Sequence, residues 1–418
     1  MPGQQVSPNL ALDQLVALRR VRGESIVHLG FGESRLPVFA PLAQRLRLGA
    51  SRNAYGPVVG DLAVRQAVSG YFTRRRMPTH PEQVIMAPGS KPLLMALQMV
   101  VPGDVVLPRP CWVTYGPQAE WAGKHVFGVP IPDDCGGVPA PDALRETVRA
   151  ARKHGRDPKI VILNSPDNPT GTVAPPTLVR EVCAVAEEED LLVVSDEIYR
   201  DLVHDPDTPF LSPAEVVPDR TVVVTGLSKS LALGGWRIGT ARFPMGAWGT
   251  RIREGVASYA SEVWSTLAGP MQEVAAYAFD EPPEIRARLA TDARLHGAVA
   301  GAVYEIMRGA GAACRRPNAG FYVYPDLSPV GESLRRKSIT DAITLQARLL
   351  DEFGVAVLAG AHFGDDPHAP RFRAATSMLY GDTEEQQAAA QETDDPLRLP
   401  HIAAALDAIE TSFTKLCS

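Results

Sequence analysis

Residues 221–243 read TVVVTGLSKSLALGGWRIGTARF, two β-branched runs with a lysine and an arginine in the turn region between and beside them. The first run, TVVVTGLS, closes on Ser228-Lys229. The second, WRIGTARF, begins too soon for a crossover helix to intervene, so the two strands are expected to lie antiparallel. Lys229 therefore sits at the mouth of an apolar strand, with Arg237 eight residues further on. A lysine is rarely buried without a partner, and desolvating its charge is costly. Either its amine reaches solvent or the position serves chemistry.

Working outward, short apolar runs alternate with helix-length segments from about residue 83: EQVIMAPG, GDVVLPRP, KHVFGVPI, PKIVILNS, LLVVSDEI and TVVVTGLS. Between the last pairs lie stretches such as PPTLVREVCAVAEEED, whose Val179, Val182, Val185 and Ala186 fall on one side of a helix. Strands that are apolar throughout and separated by helices indicate a mostly parallel α/β sheet covered on both faces. The texture changes after about residue 280. A long helical stretch (282–309), GFYVYPDL, a helix over 338–353, GVAVLAG, PRFRAATSM and a terminal helix ending near Lys415 suggest a smaller α+β domain. We expect a large domain over 46–285 and a small one built from 1–45 and 286–418. The segment GDTEEQQAAAQETDDPLRLP (381–400) is polar and helix-prone, and its plainest reading is a solvated loop or insert.

Composition narrows the function. The chain has 418 residues, 45% hydrophobic and 22% charged, with a net charge of −6. It is globular, and it has no basic stripe for nucleic acid or an anionic membrane, so small molecules are the expected partners. The five cysteines are scattered, without the spacing of a zinc site, and no metal is expected. The N-terminus lacks a basic region followed by an apolar core, and no apolar stretch approaches membrane-spanning length. A soluble, cytoplasmic protein is expected.

In open parallel sheets, ligands bind at the carboxyl ends of the strands. The groups near those ends are Gly89-Ser90-Lys91, Trp112, Asn168, Asp196 and Ser228-Lys229. Asn168 and Asp196 are 28 residues apart, about a strand, a helix and a strand, which puts both on one rim. Asp196 and Tyr199, three apart, share a face if a helical turn begins there. MAPGSK opens a helix, so the amides of Ser90 and Lys91 offer a phosphate site that the forked guanidinium of Arg237 can complete. An amine, an acid for a ring nitrogen, aromatic rings and a phosphate cradle together describe pyridoxal 5'-phosphate. Its aldehyde takes Lys229 as a Schiff base, and its pyridinium needs Asp196 to serve as an electron sink.

In these motifs the chain resembles the class I/II aminotransferases of the fold-type I pyridoxal-phosphate family, from about residue 26 to 378. NAYGPVVGDLAVRQAV resembles the family segment whose tyrosine, here Tyr55, reaches the phosphate of the neighbouring subunit. PCWVTY supplies Trp112 to stack on the cofactor ring, and SPDNPTGT supplies Asn168 for the ring hydroxyl. SDEIY supplies Asp196 and Tyr199, and SKSLALGGWRIG supplies Ser228, Lys229 and Arg237. The resemblance implies transfer of an amino group between an L-amino acid and a 2-oxo acid, in a homodimer with shared active sites. A lyase, cyclase or oxidase using the same cofactor is the alternative; a non-catalytic regulatory module is disfavoured, because it would need a DNA-reading domain. For the substrate, the resemblance implies contacts from the Gly32 amide, Asn168, Trp112 and an arginine in RFRAATS. Its residue order favours Arg371 over Arg373 as the carboxylate anchor. SEVWSTLAGPMQ (261–272) resembles the stretch bordering the partner's site, with Trp264 and Ser265 as pocket candidates. His362 and Cys111 read as structural. Two departures stand out. Gly226 replaces a Ser or Thr of the family, leaving Thr225 and Ser228 as substitutes for the missing phosphate hydroxyl, and Ser34 stands where proline is usual.

Overall fold

The structure, a computed structural model, describes residues 6–418. Its centre is a seven-stranded sheet. A short strand β1 (Val27–His28) precedes it in the chain; the sheet strands are β2 (Val84–Ala87), β3 (Asp104–Arg109), β4 (Val126–Pro130), β5 (Pro158–Asn164), β6 (Leu192–Asp196), β7 (Thr221–Gly226) and β8 (Gly239–Arg242). Their spatial order is β2-β8-β7-β6-β5-β3-β4, parallel except for β8, which runs antiparallel to both neighbours. The α/β expectation and the antiparallel return of WRIGTARF are both met. Along β7, Val222 and Val224 pack into one face cluster and Val223 into the other, so a continuous apolar run is what a strand covered on both sides requires.

Two glycines face each other across the hairpin that brings β8 back, Gly226 paired with Gly239. A Cβ on Gly239 would lie 2.2 Å from the backbone of Gly89, and one on Gly226 would lie 2.5 Å from the carbonyl of Ile238. Three backbone segments thus approach more closely than side chains allow.

Four helices position the N-terminal half: α1 (Pro8–Val21), α2 (Ala40–Gly49), α3 (Leu62–Arg74) and α4 (Ser90–Val100). The helix α4 starts directly from β2 through Gly89, whose φ of +97° is open to glycine but strained for other residues. A second core joins the arm to the C-terminal part. Leu29 and Leu36 pack with Leu295, Val299 and Val303 of the helix Pro283–Gly309 and with Phe372 and Phe413. The strands Tyr322–Val323, Phe372–Ala375 and Leu358–Ala359 form a small antiparallel sheet beside it, and β1 pairs with Val355–Ala356. Leu12 and Val16 seat α1 against Ile26, Tyr324 and Leu350.

Two expectations change. Leu42 of α2 packs with α3 and the helix Gly269–Asp280, so a boundary at residue 45 would cut a helix belonging to the large unit. The polar segment 381–400 is not a solvated loop. It contains the helix Glu384–Glu392, capped by the Thr383 hydroxyl accepting from the Gln386 amide, with Gln387 and Ala390 buried. Among the described residues, no helix is long and apolar enough to cross a membrane, and no cluster of His, Cys, Asp and Glu is placed to hold a metal.

Candidate active site

At the carboxyl ends of the parallel strands lies a cavity of about 380 Å³. Its walls bring together Ser90, Lys91, Trp112, Asn168, Asp196, Tyr199, Ser228, Lys229, Arg237 and Gly32, residues spread over two hundred positions of sequence. Gly89 stands just behind the wall, with the guanidinium of Arg237 where its side chain would be.

Asp196 ends β6 and is 2% exposed. Its carboxylate accepts from the Tyr115 hydroxyl at 2.7 Å and from the Ile198 amide at 3.3 Å. Among the described residues no cation pairs with it, and burial raises its pKa to about 6 against the opposing pull of those hydrogen bonds. A buried carboxylate left this way suits a ligand that brings a positively charged N–H.

Lys229 follows β7 on a single helical turn, Leu227–Ser230. Its Nζ donates to the carbonyl of Gly32 at 2.5 Å. Burial brings its pKa down to about 8; Glu33 opposes this, while Arg373, Arg237 and Lys91 add to it. The free amine is therefore accessible close to neutral pH.

The end of the cavity expected to take a phosphate is built from cations and hydroxyls. Arg237 adopts a left-handed φ of 56°, unusual for a side-chain-bearing residue, and donates to the carbonyl of Gly234 at 2.8 Å. The pKa of Lys91 is lowered by burial and then by Arg237, as expected for cations gathered without an anion. The Gly226 departure has a local cause, because a hydroxyl-bearing side chain there would meet the Ile238 carbonyl. Of the two candidate substitutes, Ser228 lines the cavity, whereas Thr225 is turned away and donates to the carbonyl of Glu197.

The structure separates the two arginine candidates, against the order expected from the sequence. Arg371 lies outside the cavity, held by Asp326 at 2.8 Å and Asp365 at 3.0 Å in an outer cleft. Arg373, one position inside the strand that begins at Phe372, is 1% exposed and lines the cavity. It donates to Asn168 Oδ1 at 3.1 Å and to the Gly30 carbonyl at 2.8 Å. Among the described residues its Nε has no partner, and no carboxylate pairs with it.

Tyr55 is 89% exposed and does not line its own chain's cavity; neither do Trp264 and Ser265. Cys111 is buried and His362 lies away from the cavity. Sequence reasoning missed Tyr115, Asn164 and Tyr322, and weighed Arg373 only as the second choice. Tyr115 stood in the quoted PCWVTY, and Asn164, which donates to the Asp196 carbonyl at 2.8 Å, ends β5.

The donor set fits pyridoxal phosphate: an amine, an unpaired buried acid, an indole, two asparagines and a cationic anion cradle. Trp112 stands at the cavity wall, edge-on to Tyr115.

Comparison with known proteins agrees with the geometry. Residues 25–390 match the family model "Aminotransferase class I and II". The chain is 31% identical to an aspartate/prephenate aminotransferase of Thermus thermophilus, over 89% of this chain and 92% of the relative. It is likewise 31% identical to an aspartate/prephenate aminotransferase of Cereibacter sphaeroides, over 83% and 86%. A solved structure of Thermus thermophilus aspartate aminotransferase with maleate superposes with a TM-score of 0.79 at 28% identity, covering 93% of this chain and 96% of that one.

Proposed function

The chain belongs to the class I and II aminotransferases and moves an amino group between an amino acid and a 2-oxo acid; from that premise we propose that it works with pyridoxal 5'-phosphate on L-amino acids, as a homodimer with shared sites. The observation that carries the reading is a buried acid without a cation, Asp196, and a buried guanidinium without an acid, Arg373, in one cavity with Lys229.

When bound, pyridoxal phosphate supplies an aldehyde that condenses with amines and a ring that accepts the electron pair released from Cα. Ser90, Ser228, Arg237 and the first amides of α4 would hold its phosphate, and Trp112 would cover its ring. Asp196 keeps the ring nitrogen protonated, and Tyr115 orients that carboxylate. Asn168 and Tyr199 would face the ring hydroxyl. Arg373 grips the substrate carboxylate through its fork, which fixes the Cα–H bond toward Lys229. The Lys229 amine would take the Cα proton and return it; its pKa, lowered to about 8, brings a usable fraction of free base close to neutral pH.

The exposed Tyr55 supports a role in a neighbouring subunit's site. Mixing inactive Tyr55→Phe chains with inactive Lys229→Ala chains then restores part of the activity; if mixtures stay inactive while both variants form dimers, shared sites are refuted. The central test is borohydride reduction of the purified protein loaded with cofactor, followed by peptide mapping. The label is expected on Lys229, and a label on another lysine would overturn the assignment.

A further inference from the structure

Tyr322 stands in the quoted GFYVYPDL without being singled out there, yet it is the hinge of a hydrogen-bond chain across the cavity. Its hydroxyl lies 2.8 Å from that of Tyr199 and 3.5 Å from the carbonyl of Gly32, which accepts from Lys229 Nζ at 2.5 Å. The ring is 1% exposed and fixed by edge-on packing against Tyr199, centroids 5.5 Å apart. Its face carries the guanidinium of Arg373, 4.9 Å from the centroid. Gly32 makes this approach possible, since a Cβ there would sit 2.4 Å from the Tyr322 oxygen.

Counting protons gives the chain a direction. Each hydroxyl has one hydrogen, and only one of the two can lie in the 2.8 Å contact. If Tyr199 donates to Tyr322, nothing from Tyr199 is left for the cavity. If Tyr322 donates to Tyr199, the Tyr199 hydrogen is free to point inward. Tyr322 has little to gain elsewhere, because its contact with the Gly32 carbonyl is long, at 3.5 Å. An acceptor in the cavity beside Tyr199 therefore selects the second arrangement, in which each hydroxyl polarises the next.

We propose that Tyr322 is a positioning residue: by donating to Tyr199 it turns that hydroxyl into a committed donor toward the cofactor's ring oxygen. This rests on the cofactor reading above. A stronger donor draws negative charge away from the linkage to Lys229 and lowers the pH at which that linkage releases its proton. Tyr322→Phe keeps the ring and the face under Arg373 but removes the hydroxyl.

The experiment is a pH titration of the visible absorbance of the loaded enzyme, for the wild type, Tyr322→Phe, Tyr199→Phe and the double variant. Tyr322→Phe is expected to raise the midpoint by about half a pH unit and Tyr199→Phe by more, with the double variant matching Tyr199→Phe alone. The KM for the amino substrate should stay within about twofold, since Arg373 keeps its ring. An unmoved midpoint in Tyr322→Phe, or the same shift with and without the Tyr199 hydroxyl, overturns the proposal. A wild type that takes up no cofactor and shows no visible band overturns the cofactor reading itself, and this inference with it.

Discussion

Arg371 and Arg373 are neighbours but one on the chain and face different surroundings. In the outer cleft, of about 920 Å³, Arg371 is shared between Asp326 and Asp365, and Tyr324 donates to Asp365 at 2.8 Å. In the inner cavity, Arg373 is more deeply buried and meets only neutral oxygens, while Asp196 meets only neutral donors. Burying an unpaired charge is expensive, so a fold that keeps several in one place does so for ligands that complete them. Size alone would point to the outer cleft. Unmatched charge points to the inner one.

The contrast breaks first at the carboxylates. Asp196→Asn cannot hold a ring proton and is expected to lower kcat by about 10³-fold, whereas Asp326→Asn in the outer cleft changes it by less than about threefold. Steady-state kinetics with saturating cofactor decides this; equal losses would erase the distinction between the regions.

The arginines are expected to differ by slightly less. Arg373→Lys keeps the charge and loses the fork, so kcat/KM for amino acids should fall about 10²-fold with an unchanged cofactor spectrum. Arg371→Lys should leave kcat/KM nearly intact and cost at most about 1 kcal/mol of stability, because its ion pairs are partly exposed. If Arg371→Lys gives the larger kinetic loss, the outer cleft is the substrate site.

A smaller effect tests the end of the cavity proposed to hold the phosphate. Restoring a hydroxyl by Gly226→Ser should not tighten cofactor binding; it should destabilise the fold by about 2 kcal/mol, from the collision with the Ile238 carbonyl. Tighter cofactor retention with an unchanged melting temperature would contradict this.

The last test concerns Asp167, a buried acid beside the cavity rather than in it, and it reads stability alone. Burial lifts its pKa to about 7, against hydrogen bonds from Thr170. Between an ordinary carboxylate pKa and 7 the folded chain holds a proton that the unfolded chain has lost, so stability falls as pH rises through that window. The slope is at most about 1.4 kcal/mol per pH unit. Asp167→Asn should flatten that decline between pH 5 and 7 in denaturant titrations; an identical pH profile would show that the group does not titrate there.

The β-branched runs and the groups closing them were legible because strands buried on both faces leave few alternatives, and because the chemistry of one cofactor fixes several residue types at once. The arginine was not. Positions two apart share a face only within a strand; this strand starts at Phe372, and the acids that claim Arg371 are at 326 and 365, remote from any local pattern. Tyr115 and Tyr322 went unnoticed for a similar reason: their partners, Asp196 and Tyr199, are supplied by other parts of the chain. The segment of the helix Glu384–Glu392 was legible as helix-prone, but its packing was not, since few of its residues are buried, although Thr383 followed by two acids was a legible start signal.

The placement of β8 has a consequence for the order in which the molecule can be made. β2 has β8 as its only neighbour in the sheet, so residues 84–87 have no ladder partner until residues 239–242 have been synthesised. A nascent chain can stack β3 to β7 as they emerge, since each pairs within that set. The loop bearing Gly89 and Ser90 is locked beside Gly239 only when the returning strand slots in. During synthesis, then, the anion cradle closes after the strands bearing Asn164 and Asp196 can already have paired, and before the chain has supplied Tyr322 and Arg373.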